Sequence, residues 1–331
     1  MILSFLLSLL SFTDPWALVE RSEHGREVAM EAVVRATQWA PGKQEGHTMR
    51  FRLLQDKDFL RIEPLGGLGF LRRHGWFLGD RHGMPMPPRP PEGMELELAR
   101  RNYDAVLERT DSVSGRLCEV IRLKPRHPGG NGRRLWIDPV TGLALRRDQY
   151  DAHGELLRSS VLESVRHLSE ADRMAKGDAA PPGAFPMDAS ELRSPEEIRQ
   201  WLGFAAPQVK WVPEGFAPMG THTQSCPEGP HALRMGWSDG LASFSVFVSP
   251  RGCLPPHKRP PALLRWLPRW GRPREGRLRP PMILARLGDD CEIVAMGDVP
   301  RALLKQVVLS MGTDARSVRI LSEPNPERKK P

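Results

Sequence analysis

Residues 236–240 read GWSDG and fit the G-x-S-x-G pattern, in which a serine nucleophile stands on a tight turn between a strand and a helix. Acyl transfer through Ser238 would make two demands on the neighbouring sequence. A helix must follow the serine, and an acid and then a histidine must come later in the chain. After Gly240 the run LASFSVFV instead places Ala242, Phe244, Val246 and Val248 on one side of a period-two pattern, which is a strand. HALRM at 231–235 is also extended in character, so Ser238, Asp239 and Gly240 are expected to form the turn of a β-hairpin. His257 is the only histidine beyond Ser238, and no acidic residue lies between Asp239 and it. The expectation is a chain without catalytic residues, not an enzyme.

Other chemistry fares no better. The ten histidines are scattered and none sits in an H-E-x-x-H or similar pair, so no metal site is expected. GGLG at 66–69 lacks the strand-loop-helix frame and the Lys-Ser/Thr of a phosphate loop, and no cofactor is expected. Cys118, Cys226, Cys253 and Cys291 form no C-x-x-C pair or zinc pattern. A disulfide within the last three suits an exported protein, and small buried thiols suit the same spacing.

The elements that would position any site are mostly strands. Asp14 and Pro15 open a short helix as N-cap and first helical residue. Extended segments follow at 28–39, 47–54, 59–62, 66–71 and 75–79, then, beyond a Pro-rich loop at 84–91, at 103–107, 116–123, 134–137, 143–150 and 156–167. Tight turns at DPVTG (138–142) and DAHG (151–154) make this series an antiparallel meander, with enough strands to curl. Residues 169–191 are small, polar and Pro/Gly-rich, and form the expected linker. Beyond them Ser194, Pro195 and Glu197 spell a capping box, two strands are expected at 282–287 and 291–296, and the apolar spacing over 300–311 is helical. The resulting expectation is a mainly β or α+β chain: signal segment and first helix at 1–22, an N-terminal domain at 23–168, a C-terminal α+β domain at 192–322, and a frayed tail at 323–331.

Charge is concentrated in one place. The 331 residues carry a net +8, and the stretch 251–280 alone accounts for it, with nine basic residues against Glu275. Within it Arg265, Trp266, Arg269, Trp270 and Arg272 interleave arginine with tryptophan, which suits an anionic membrane surface or an acidic stretch of a partner. A solvated Pro-rich loop is the plainer reading of the same run. The uncharged apolar run at 1–12 has signal-peptide length and predicts export to the periplasm or cell envelope, although a basic n-region is absent. Export removes nucleic acid as a partner of the basic insert.

Two blocks resemble one family. GRLCEVIRLKP at 115–125 followed by LWIDPVTGLALRRD at 135–148 is similar to the N-terminal domain of the MucB/RseB family of periplasmic regulators of extracytoplasmic-function sigma factors. WVPEGF at 211–216, WSDGLASFSVFV at 237–248 and MGDVP at 296–300 resemble the C-terminal domain of that family, in the same order. The insert at 251–280 departs from it. The resemblance implies an N-terminal half-open antiparallel sheet wrapped around helices, like the lipoprotein carriers, and a smaller C-terminal α+β domain. It also implies a non-enzymatic partner of a membrane-anchored anti-sigma factor, which limits that factor's proteolysis and responds to lipid or mislocalised envelope material. Phe70, Trp76, Phe77 and Leu78 would then line an acyl-binding concavity, or pack as ordinary core. A lipid or lipoprotein carrier of the envelope is the other function this sequence suits, and it leaves a homo-oligomer open.

Overall fold

Period-two patterning dominates the chain, and its outcome in a computed structural model is two antiparallel sheets with few helices. The structure describes residues 14–24, 28–39, 45–55, 60–65, 94–169, 194–226, 229–251, 281–288, 291–312 and 317–321. By their contacts these residues form two units.

The first unit holds an eight-stranded sheet in the order β3-β2-β1-β8-β7-β6-β5-β4. Its strands are β1 (Met30–Trp39), β2 (Gly46–Gln55), β3 (Leu60–Pro64), β4 (Tyr103–Val113), β5 (Arg116–Pro125), β6 (Gly132–Ile137), β7 (Ala144–Tyr150) and β8 (Leu156–His167). All neighbours run antiparallel, and the single non-consecutive pairing joins β1 to β8. Helix α1 (Pro15–His24) starts where Asp14 accepts the Trp16 amide at 3.0 Å, and it buries Leu18 and Val19. Its Arg21 donates to the Pro139 carbonyl at 2.6 Å, on the DPVTG turn. That turn is built by its first residue: Asp138 accepts from the Val140 amide (2.9 Å) and the Thr141 hydroxyl (2.8 Å). Gly142 closes it at φ +74°, and a Cβ there would stand 2.9 Å from the Arg21 carbonyl oxygen, so glycine is needed for both conformation and space. Met30, Val120, Trp136, Leu143 and Leu145 pack into one core of this unit.

The second unit holds a six-stranded sheet in the order β14-β12-β13-β11-β10-β9. The strands are β9 (Ala217–Cys226), β10 (Gly229–Ser238), β11 (Ser243–Pro250), β12 (Met282–Leu287), β13 (Cys291–Gly297) and β14 (Val318–Ile320). Among the described residues three helices belong to this unit: α2 (Met94–Asn102), α3 (Pro195–Leu202) and α4 (Arg301–Leu309). The capping box of α3 is present in full, with the Glu197 amide on Ser194 Oγ at 3.1 Å and the Ser194 amide on Glu197 Oε2 at 3.0 Å. Leu304, Val307 and Val308 of α4 close a core with Leu233, Phe244, Val246, Val248, Ile283 and Ile293. Helix α2 and the turn at 127–131 lie in sequence among the strands of the first sheet, yet group with the second unit. The expected strands at 66–71 and 75–79 fall outside the described residues.

Candidate functional site

Ser238 closes β10 and Ser243 opens β11, and the two pair in register, so GWSDG is the end of a strand and the turn of a hairpin. Ser238 is 3% exposed. Its hydroxyl donates to the Ala242 carbonyl at 3.1 Å and accepts from the Gly240 amide at 3.0 Å. Asp239 does the rest of the turn: its Oδ1 accepts from the Leu241 amide (2.9 Å) and the Ala242 amide (2.7 Å). Both polar side chains are thus occupied by local backbone, the ordinary use of Ser and Asp in turns. A serine whose proton is committed to a carbonyl, buried and facing its own turn, is not placed for nucleophilic attack. Gly240, at φ +99°, packs against α2 so closely that a Cβ would stand 2.2 Å from the Ala99 nitrogen and 2.4 Å from the Glu95 carbonyl oxygen.

Around this turn lies a polar hub that no local pattern in the sequence announces. Asn102, the last residue of α2, donates through Nδ2 to the carbonyls of Gly215 (2.7 Å) and Asp239 (2.9 Å). With both amide protons used, Oδ1 is left to accept, and His127 Nε2 stands 3.0 Å from it. Donation by His127 is therefore assigned from the orientation of Asn102. Glu214 lies 3.3 Å from the other ring nitrogen of His127. Asn131 donates to the Asp298 carbonyl at 3.2 Å. WVPEGF, WSDG and MGDVP, three separate stretches of the sequence, thus each supply a group to one set of contacts: Gly215, Asp239 and Asp298.

The first sheet carries the other concentration of charged and aromatic side chains. Asp148, 1% exposed, accepts from Arg146 Nε (3.0 Å) and Nη2 (2.6 Å), from Ser159 Oγ (2.7 Å) and from Tyr150 (3.2 Å). The Arg146 guanidinium lies 4.2 Å over the Trp136 ring, whose Nε1 donates to Asp111 at 2.9 Å. Arg134 donates to Tyr150 (3.1 Å) and to Glu108 (3.1 Å). The Trp136 hydrogen bond, with the Ser112 amide behind it, holds the Asp111 carboxyl below its usual range. Burial raises the Tyr150 phenol, and the Asp148 charge adds to that. Each of these groups has a partner on another strand or is held by one that does, so the network ties β4, β6, β7 and β8 together, with the β4–β6 bonds stepping over β5. Arginine stacked on tryptophan and held bidentately by a buried carboxylate is a strut of the sheet.

The other expected site residues divide as follows. Phe70, Trp76, Phe77 and Leu78, and Arg265, Trp266, Arg269, Trp270 and Arg272, all lie outside the described residues. Cys118 and Cys291 are buried free thiols, so Cys291 is not bridged. The Cys226 side chain and Cys253 are outside the description. Burial, with Asp138 nearby, pushes the Cys118 thiol up to about 11, and burial with Glu292 nearby does the same for Cys291. Such thiols stay protonated at neutral pH and are poor nucleophiles. Among the described residues no group of three or more His, Cys, Asp or Glu side chains could hold a metal ion, and no helix is long and apolar enough to cross a membrane.

Comparison with known proteins agrees on one family. The MucB/RseB N-terminal domain matches residues 81–181. The sigma-E factor regulatory protein RseB of Escherichia coli (strain K12) is 25% identical over 214 residues, covering 62% of this chain and 58% of that protein. Its counterpart in Haemophilus influenzae is 29% identical over 151 residues, 45% of this chain and 44% of that protein. The chain thus aligns with about half the length of the curated relatives it matches. Among solved structures, the complex of Pseudomonas aeruginosa MucA and MucB aligns over 93% of this chain and 99% of that one, at 17% identity and a TM-score of 0.49.

Proposed function

Because the chain belongs to the MucB/RseB family, we propose that it is a non-enzymatic regulator of an extracytoplasmic-function sigma factor, acting in the periplasm. It binds the extracytoplasmic part of a membrane-anchored anti-sigma factor and limits that factor's proteolysis. The observation that carries this reading is the 214-residue match to a sigma-E factor regulatory protein. The geometry supports it from another side: the one catalytic-looking motif of the sequence is consumed as the turn of a core hairpin.

In this reading the first unit is a half-open, lipoprotein-carrier-like sheet, and Phe70, Trp76, Phe77 and Leu78 contribute to an apolar face that takes acyl chains. Occupancy of that face by lipid or mislocalised envelope material is the signal. The arginine and tryptophan residues of 251–280 meet an anionic membrane surface, and the apolar run at 1–12 directs export.

The test is capture from envelope extracts of the parent organism on the tagged, exported chain, with the bound material identified by mass spectrometry. Recovery of a single-pass anti-sigma factor in stoichiometric amount is the expected result. Recovery of acyl lipid or lipoproteins without it would overturn the regulator reading in favour of an envelope carrier.

A further inference from the structure

The second unit is not continuous in sequence. Helix α2 ends at Asn102 and β4 of the first unit begins at Tyr103; β5 ends at Pro125 and β6 begins at Gly132. Residues 94–102 and 127–131 nevertheless belong to the second unit by their contacts. The chain therefore enters the second unit twice and leaves it twice before it reaches the Pro/Gly-rich stretch at 169–191. Both early visits supply parts that the later residues lack. Asn102 caps the carbonyls of Gly215 and Asp239, which belong to turns that residues 194–321 form, at 2.7 and 2.9 Å. Asn131 donates to the Asp298 carbonyl, and His127 completes the Asn102 bonds. Gly240 has its Cα against the backbone of α2, with no room for a single further carbon.

We propose that residues 94–102 and 127–131 are structural straps without which the second unit is incomplete, so that it is not an autonomous domain of residues 192–322. Cutting the chain anywhere in 169–191 then divides the second unit itself into two pieces, and its own contacts hold the fragments together. Two domains joined by a flexible linker alone would part on cleavage, because only the linker keeps them near each other. A protease cutting within 169–191 would in consequence nick this protein without releasing either half. This inference stands on chain tracing and contacts within one unit, and does not depend on the regulatory reading above.

The experiment places a specific protease site at 179–183 in the full chain and nicks the folded protein to completion. Size-exclusion chromatography at low micromolar concentration, without denaturant, is expected to return both fragments in one peak at the mass of the intact chain. The double variant Asn102→Ala, Asn131→Ala removes the side-chain bonds of these two asparagines, leaves the His127–Glu214 contact in place and keeps every backbone. Nicked, its fragments are expected to separate on dilution at concentrations at least tenfold higher than the wild type requires. A circular dichroism spectrum of the uncut variant matching wild type shows that the fold is retained; if it does not match, Asn131→Ala alone is nicked and diluted in the same way. Two outcomes overturn the proposal: nicked wild type that elutes as two separate fragments, or nicked variant that holds together as tightly as wild type.

Discussion

Replacing Ser238 by alanine separates a structural serine from a catalytic one, because the two roles predict opposite results. The substitution removes a donor to the Ala242 carbonyl and an acceptor for the Gly240 amide. The carbonyl keeps a second partner, the Asp239 amide at 3.1 Å. The Gly240 amide, half buried under α2, loses its acceptor. A buried donor left unsatisfied costs about 1–3 kcal/mol, and half-burial puts this one near the lower end, at about 1 kcal/mol. With a urea m-value of about 2 kcal/mol/M, the unfolding midpoint of the second unit falls by about 0.5 M. Near-ultraviolet circular dichroism reads it: Trp237 precedes Ser238 and stacks on Phe244 at a centroid distance of 5.2 Å, so its packing contributes to that signal, whereas fluorescence sums over all nine tryptophans. Partner capture by the folded variant should equal that of wild type. A midpoint unchanged within error would refute the account of the turn. An esterase activity present in wild type and lost in Ser238→Ala would refute the account of the protein.

Other consequences follow from single groups. Phe244→Asp places a carboxylate at a site that is 2% exposed, between Trp237 and Phe216; a cost above about 4 kcal/mol should abolish the cooperative transition of the second unit, read by near-ultraviolet circular dichroism. Burial would raise the Asp138 carboxyl, but hydrogen bonds from Thr141, the Val140 and Thr141 amides and Arg116 outweigh it and hold the group below its usual range. Its folded pKa is depressed, so its stabilising effect is present above the unfolded value near about 4 and is lost as pH falls through the folded one. The advantage of wild type over Asp138→Asn in urea melts is therefore expected to be full at pH 7 and to shrink below about pH 4. Iodoacetamide at pH 7.5 should leave Cys118 and Cys291 unmodified in the native protein and label both in urea, as read by peptide mapping; rapid native labelling would contradict their burial.

The parts of the fold that were legible in the sequence are those whose causes are local. The strand character of LASFSVFV follows from alternation over eight residues, the α3 start from a four-residue box, and the 138–142 turn from Asp138 and Gly142. Helix α2 escaped because MELELA alternates glutamate with apolar residues and reads as period two. Its helical signal was electrostatic: Glu95 and Glu97 in the first turn, Arg100 and Arg101 in the last. The hub at Asn102 was not legible at all, since its partners lie 113 and 137 residues away and pair only once the second unit is folded. The strut of Asp148, Arg146 and Trp136 was half visible: all three stand in the stretch that carried the family resemblance, but Ser159 and Asp111 reach it only across strand pairs. What the resemblance supplied was the placing of WSDG in a C-terminal domain, and the hairpin geometry says what its serine and aspartate do there: they bond the backbone of their own turn.

The most direct test of the account is a binding measurement between the purified mature chain and the purified extracytoplasmic part of the anti-sigma factor from the same organism, by isothermal titration calorimetry. A saturable complex of fixed stoichiometry, in which proteolysis of the anti-sigma factor is slowed, is the predicted result. No heat of binding at tens of micromolar of both proteins, together with unchanged cleavage, would contradict it.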